Sequence, residues 1–441
     1  MRILVCGINY APDLIGVAKY TTELCESLLA YGHELQVVTA PPYYPDWRIP
    51  ELYRSRWHSS ELLNGVSIIR SPIYVPGRPS GVRRLLHHAS FAVSSAMPIL
   101  ATAISWRPDV IFSVAPSLLS APVAALAARL IGVKSWLHIQ DLEVDTAFEL
   151  GLLKGRSLHA LMLWIERRVL RSFDRVSTIS PQMLRRLVSK GVTPERLRDV
   201  HNWADVSAIV PGDNRTPLRA RLGLGPADIV ALYSGAMSKK QGLELIIEAA
   251  AAVRDSHPRI HFVLCGNGPY RAKLAELASG LPNVHTLEIQ PAERLPELLN
   301  TADIHLMPQK AQASDLVLPS KLSGMFASGR PIVAMVEPGT GIAQETQRAG
   351  LVVAPGDAAA LAAAVVKLAG DESLRRRLGE AGRRRAEQYW DRAAIIRALE
   401  CELSMLGQRP PAISKQLVPS LRKRQVLEEA LRESAMSLPP L

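Results

Sequence analysis

Short apolar runs alternate with stretches of helical periodicity along this chain, and the alternation occurs twice. In the first half, Ile3–Ile8, Leu35–Thr39, Ser67–Arg70, Val110–Val114, Ser135–Ile139 and Arg175–Ile179 read as strands. Helices are expected over Lys19–Tyr31, ending at Gly32, and over Val82–Ser105, where Pro98 should introduce a kink. After a polar, Pro/Gly-containing stretch, Pro211–Pro226, the pattern restarts. Strands are expected at Ile229–Ser234, Ile260–Cys265, Val284–Leu287, Ile304–Met307, Ile332–Val336 and Leu351–Val353, with helices over Gly242–Asp255 and Tyr270–Ala278. Strands separated by helices imply a parallel sheet covered on both faces. The expected fold class is therefore α/β, with two Rossmann-like doubly wound domains facing across a cleft. The boundaries are 1–205 and 206–385, then a helix at 386–407 returning toward the N-terminal domain, and a partly disordered tail at 408–441. Ligands of such sheets bind beyond the carboxyl ends of the strands.

The 441 residues suffice for two full cores. Lys and Arg exceed Asp and Glu by 52 − 41 = 11, which suits an anionic partner. The basic residues are dispersed, with only short runs at Arg375–Arg377 and Arg383–Arg385, so no nucleic-acid partner is expected. Cys6, Cys25, Cys265 and Cys401 form no CxxC pair, which argues for reduced thiols, a cytoplasmic setting and no structural zinc. Val110–Ala128 is uncharged and as long as a membrane span, yet Pro116 and Pro122 divide it into strand, loop and buried helix. The N-terminus does not read as a signal peptide, because its apolar stretch ends too soon.

Several strand ends carry chemistry. LPSKLSGMFASGRP (Leu318–Pro331) reads as a loop, a short helix with Ser320 at its N-cap, and a turn closed by Gly329. A lysine in the first turn of a helix, Lys321, fits a phosphate or diphosphate. Gly235 is followed by Lys239 and Lys240, and Gly266 and Gly268 end the next strand. Three strand ends of one domain thus form an anion-binding rim. In the first domain, Gly7 and Gly16 bracket a βα loop, and HIQDLEVD puts His138, Asp141, Glu143 and Asp145 at the end of a strand. Asp141 is placed to orient or deprotonate a hydroxyl. His138 and Gln140 are read as alternates, one of them facing the cleft. Asn202 and Asp205, in VHNWAD, either line the cleft or cap a turn.

These residues, in this order, resemble the family-4 glycosyltransferases of GT-B fold, over about residues 1–400. GINYAPDLIGVAKYTTEL, APPYYPDW, HIQDLEVD, HNWAD, SKKQGLE and LPSKLSGMFASGRPIVA resemble the colanic acid biosynthesis group in particular. The resemblance implies transfer of a sugar from a nucleotide sugar to an acceptor, with retention at the anomeric carbon. The nucleotide would sit on the C-terminal domain and the acceptor on the N-terminal domain. It places Gly16 near the donor phosphates and matches Asp141 to the aspartate of the family's His-Asp pair. The histidine's place falls on Gln140, so His138 is the candidate substitute. Ala236 and Gln241 stand where many relatives carry an arginine and a lysine, leaving the charge to Lys239, Lys240 or Lys321. Gly324 replaces the second of two expected glutamates, and Asp315 loosely matches the first.

The expected site is thus catalytic Asp141, His138 and Lys321. Gly16, Gly235, Lys239, Lys240, Gly266, Gly268, Ser320, Lys321 and Asp315 hold the donor, and Asn202 and Asp205 face the acceptor. No metal and no cofactor beyond the donor are expected. The partners are a nucleotide sugar, a lipid-linked saccharide acceptor and an anionic membrane. The membrane would be contacted from its cytoplasmic side through the helix bearing Arg83, Arg84, His87 and His88, then Phe91, Val93, Met97 and Leu100. The rivals are a GT-B epimerase and a non-catalytic nucleotide-sugar-binding subunit of a polysaccharide assembly.

Overall fold

The structure is a computed structural model that describes residues 1–13, 16–54, 57–77, 80–149, 155–213, 215–309 and 320–408. The chain divides into Met1–Gly407 and Gln408–Leu441. The expectation for the tail, and the one for Asp315, lie outside the described residues.

The N-terminal domain runs β1 (Arg2–Gly7), α1 (Val17–Ala30), β2 (Glu34–Thr39), β3 (Ser59–Leu63), β4 (Val66–Arg70), α2 (Gly81–Trp106), β5 (Val110–Ala115), α3 (Ala121–Ile131), β6 (Lys134–Ile139), α4 (Glu143–Glu149), α5 (Arg156–Leu170), β7 (Arg175–Thr178), α6 (Pro181–Ser189) and β8 (Leu197–Asp199). The strands form one sheet ordered β3-β4-β2-β1-β5-β6-β7-β8. All its pairings are parallel except the β3–β4 edge. Successive residues of β1 serve opposite faces, as pleating requires. Leu4 and Cys6 pack with α2, α3, α5 and α6, while Ile3 and Val5 pack with α1.

The second domain runs α7 (Pro217–Arg221), β9 (Ile229–Ser234), α8 (Glu244–Val253), β10 (Ile260–Cys265), α9 (Arg271–Leu277), β11 (Val284–Leu287), α10 (Leu295–Thr301), β12 (Ile304–Pro308), α11 (Lys321–Ala327), β13 (Ile332–Met335), α12 (Gly341–Gln347), β14 (Gly350–Val353), α13 (Ala358–Gly370) and α14 (Glu372–Tyr389). Its parallel sheet is ordered β11-β10-β9-β12-β13-β14. The direction of crossover reverses beside β9, which puts a binding crevice at the carboxyl ends of β9, β10 and β12.

Two crossings join the domains side by side. Ala204 N–H donates to the Trp390 carbonyl at 2.9 Å, and Arg392 N–H to the Ala204 carbonyl at 3.0 Å. The Arg383 guanidinium donates to the carbonyls of Val206 and Ala327 at 2.9 Å each, and to that of Ile209. A last helix, α15 (Arg392–Gly407), packs with α1 through Ile396, Leu399 and Leu403. Arg198 Nε donates to Glu402 Oε2 at 2.9 Å, fastening α15 to β8.

The expected helix over Val82–Ser105 is present as the 26-residue α2, with Pro98 inside it. Two readings from the sequence are revised. The helix around Arg383–Leu406 is two helices, broken at Trp390 and Asp391. β3 and β8 were not expected; β3 is an exposed antiparallel edge whose SSELL lacks the buried-strand signature.

Candidate functional site

Two glycine loops close on each other at the carboxyl end of the second sheet. Gly235 N–H donates to the Cys265 carbonyl at 3.0 Å, and Met237 N–H to that of Asn267 at 2.8 Å. Gly266 has φ +155, and a Cβ there would lie 1.9 Å from the Gly235 carbonyl oxygen. Only glycine permits this approach, so the two strand ends form one narrow rim of backbone.

Lys321 rises beside that rim. Its amine lies 4.3 Å from the centre of the Tyr233 ring, and a Cβ built on Gly235 would be 3.7 Å from Nζ. Loss of solvent around the amine lowers its pKa from 10.5 to about 7. A cation is thus held in a poorly hydrated setting next to exposed backbone, ready for an anion that would restore its charge. α11 is only two turns long, so the side chain rather than the helix dipole dominates. Ser320 does not cap α11 with its side chain, contrary to the sequence expectation. Its hydroxyl instead meets that of Tyr20 on α1, four residues beyond Gly16. Tyr20 stacks edge-on against Trp203 at 5.2 Å, and Trp203 Nε1–H donates to Glu23 Oε2 at 2.6 Å. α1, the crossing and α11 therefore meet at one point, which brings α1 to the Lys321 side of the cleft. Gly16, with φ +64, begins α1. Lys239 is exposed on a short 3-10 turn, and the side chain of Lys240 lies outside the described residues.

In the first domain His138 departs from the expected catalytic role. It is buried on β6, with Nδ1 2.8 Å from Ser177 Oγ and Nε2 3.1 Å from the Gln140 amide. Its ring stacks on Phe112, and burial lowers its pKa to about 4. Residues two apart on a strand share a face, so His138 and Gln140 point the same way and satisfy each other instead of alternating. His138 is a packed strand histidine. Asp141 follows directly, half-buried between β6 and α4. α4 is anchored on two sides. Glu143 Oε2 accepts from the backbone N–H groups of Ser117 (3.0 Å) and Leu118 (2.9 Å). Asp145 and Glu166 both pair with the buried Lys190, the former at 2.9 Å.

Asn202 and Asp205 sit in the crossing between the domains, where Asn202 Oδ1 is buried with no partner among the described residues. Asp205 accepts from Ser207 Oγ at 2.6 Å and Ala208 N–H at 3.0 Å, and pairs with Arg392 at 2.8 Å. It caps a turn of the crossing, the second of the two roles its sequence context allowed.

A cluster the sequence did not assemble lies at the carboxyl ends of β1, β2 and β5. Asp13 accepts from the backbone N–H groups of Tyr43 and Tyr44 and from the Asn9 side chain, and burial raises its pKa to about 6. His87 Nδ1 lies 2.6 Å from the Tyr74 carbonyl, and the Tyr43 and Trp47 rings lie 4.6 and 5.3 Å from its ring. His88 Nε2 lies 3.2 Å from Glu143 Oε1. The one signal in the sequence was APPYYPDW, distinctive as a string but silent about its partners on α2.

Two doubly wound sheets joined by a double crossing, with a lysine beside a glycine rim on the second, have the architecture of a GT-B glycosyltransferase. The comparisons with known proteins agree. Residues 16–203 match the glycosyl transferase 4-like domain, and residues 214–385 match glycosyl transferases group 1. The putative colanic acid biosynthesis glycosyl transferase WcaI of Escherichia coli (strain K12) is 43% identical over 351 residues, spanning 78% of this chain and 85% of that protein. The chain belongs to this family of glycosyltransferases. Among solved structures, sucrose-phosphate synthase from Thermosynechococcus elongatus superimposes with a TM-score of 0.69 at 20% identity, covering 92% of this chain and 99% of that one. Anabaena HepE in complex with UDP-glucose gives 0.66 at 16% identity, covering 92% and 100%. These two speak to the fold alone.

Proposed function

We propose that this glycosyltransferase moves a sugar, with retention, from a nucleoside-diphosphate sugar to a lipid-linked saccharide in exopolysaccharide biosynthesis of the colanic acid type. The observation that carries the reading is Lys321 set against the Gly235–Gly266 rim. Departure of a nucleoside diphosphate needs positive charge where negative charge develops, and Lys321 supplies it, with Lys239 and Lys240 in reserve. No metal or further cofactor enters this scheme. Front-face attack, with the departing phosphate taking the hydroxyl proton, needs no carboxylate nucleophile, and Asp141 orients the acceptor. The colanic acid assignment follows the WcaI relative. A thermal-shift screen of UDP, GDP, ADP and CMP and their sugars tests the donor class. One base is expected to raise Tm in proportion to log concentration. No shift with any of them would defeat the reading.

The acceptor's lipid places the enzyme on the cytoplasmic face of a membrane. α2 is long and apolar enough to cross a bilayer by length and composition, yet its inner face is built into the domain core through Phe91, Ile99 and Ala103. Its outer face is apolar too: Val82, Leu86, Val93, Met97 and Ile104 are exposed, Val93 to 79%. Leu126 and Leu130 on α3 and Leu161, Trp164 and Ile165 on α5 are exposed on helices covering the same side of the sheet. α2 and α3 contain no Asp or Glu, and the one acid of α5, Glu166, is buried against Lys190. This face suits an anionic interface. Phe91, grouped with the apolar flank in the sequence, belongs to the core instead. Val93→Asp/Met97→Asp should cut co-sedimentation with vesicles containing 30% phosphatidylglycerol by about tenfold or more, since each burial in lipid is lost. Equal sedimentation of variant and wild type would remove this face from the account.

A further inference from the structure

The first turn of α11, which carries Lys321, is held by the other domain instead of by a side-chain cap of its own. Ser320 precedes the helix, yet its hydroxyl caps no backbone N–H and is hydrogen-bonded to that of Tyr20 on α1. Three residues on, the buried Ser323 Oγ lies 3.4 Å from the Trp203 carbonyl in the crossing and 3.0 Å from the Ser320 carbonyl. Residues three apart share a helix face, so both serines turn toward the N-terminal domain. Helix starts fray readily where their first N–H groups lack partners, and these two contacts fasten this one.

The anchor is stiff. Tyr20 is 3% exposed, and its ring is set edge-on against that of Trp203. Trp203 is tied back to α1 through Glu23, which also pairs with Lys19 at 3.5 Å. Burial raises the Tyr20 pKa, so the phenol keeps its proton across the working pH range. From the turn so held, Lys321 extends toward Tyr233 and the glycine rim. Its four-carbon stem is flexible, and the amine is placed only as well as the turn that bears it. We infer that Tyr20 is a positioning residue for transfer: reaching from the N-terminal domain to Ser320, it sets Lys321 against the Gly235–Gly266 rim of the other domain. The donor's cation is thus fully in place only while the two domains are engaged. Tyr20 acts through Lys321 and moves no proton. The inference rests on the reading of Lys321 as the partner of the donor diphosphate.

Tyr20→Phe removes the bond and keeps the ring against Trp203. Ser320 is exposed, so water replaces the lost partner, and Tm should move no more than for a surface substitution. With the donor that shifts Tm, kcat is expected to fall about tenfold in Tyr20→Phe and in Ser320→Ala, with donor KM within about twofold, because a displaced amine fails the developing charge most. In the Lys321→Met background Tyr20→Phe should cost nothing further, whereas a merely structural role would give additive losses. A second readout needs no turnover: pulse acetylation at graded pH, read by mass spectrometry at the peptide bearing Lys321. Wild-type Lys321 is expected to titrate near pH 7. In Tyr20→Phe the midpoint should lie about one pH unit higher, as the loosened turn admits water to the amine. Unchanged kcat, additive losses or an unmoved midpoint would each overturn the inference. If wild type turns over no nucleotide sugar, the donor reading fails, and the acetylation midpoint still decides whether Tyr20 places Lys321.

Discussion

Replacing Lys321 with methionine is expected to remove most transfer activity while making the ligand-free protein more stable. Loss of one group that stabilises the developing charge costs about 10²–10³ in kcat. The stability gain follows from the lowered pKa. Unfolded, the lysine holds its proton up to about pH 10.5; folded, it does so only to about 7, because the site withholds solvent. Between these values the unfolded chain binds the extra proton, so stability of the wild type rises with pH across that window. Below pH 7 the full penalty of a buried charge is present, and methionine relieves it. The Tm advantage of Lys321→Met should be largest at pH 7 and below, and should fade toward pH 10.5. Donor binding should show the converse: diphosphate restores the charge, so wild-type affinity falls as pH rises above 7. Equal turnover in variant and wild type, measured with the donor that shifts Tm, would remove Lys321 from the site.

Lys190→Met should have the largest effect on folding. Lys190 is buried between Asp145 and Glu166, and its removal leaves the buried Glu166 and the partly buried Asp145 without a cation. Breaking such a group costs about 3–5 kcal/mol, against the far smaller loss at an exposed ion pair. Burial already raises the Glu166 pKa, with Lys190 opposing the rise. Without the lysine the carboxyl moves further up. A raised folded-state pKa confers stability below the unfolded value near 4.5 and loses it as pH climbs. The variant's deficit should therefore shrink between pH 7 and 5, as urea denaturation at each pH would read out. A pH-independent deficit would mean that packing, not charge, explains it. Because Asp145 lies on α4, four residues beyond Asp141, the variant should also lose activity at temperatures where it remains folded.

The two-domain α/β architecture was legible because parallel strands buried on both faces read as continuous apolar runs, and nearly every strand announced itself this way. What escaped had physical reasons. β3 is an exposed edge, so its pattern is polar. The break between α14 and α15 lacks Pro or Gly, and is imposed by the pairing of Ala204 with Trp390 and Arg392 across the double crossing. On the donor side, the glycines and Lys321 were legible because their chemistry is local: strand end, loop, first turn. The position of Ser320 was also legible, but not its partner Tyr20, some 300 residues away. The same limit applies to the first domain. His138 looked available because one residue at the end of a strand resembles another, and only the fold reveals Ser177 and Gln140 on its ring. The cluster of Asp13, Trp47, His87, Ser117 and Glu143 comes from five separate segments, and no local pattern joins them.

Gly324 gains meaning in this setting. A Cβ there would lie 3.5 Å from Leu299 and 4.0 Å from Ile209, ordinary contacts that leave room for a small side chain. The glutamate that many relatives carry is thus not excluded by a tight backbone approach at Cβ.

Calorimetric titration of UDP, GDP and ADP into wild type and Lys321→Met at pH 7 tests the central claim most directly. The account predicts that one nucleoside diphosphate binds the wild type, with a binding heat that varies with the ionisation enthalpy of the buffer and so reports proton uptake, and that the variant binds it at least tenfold more weakly. Equal affinity in the two proteins, or binding without proton uptake, would contradict it.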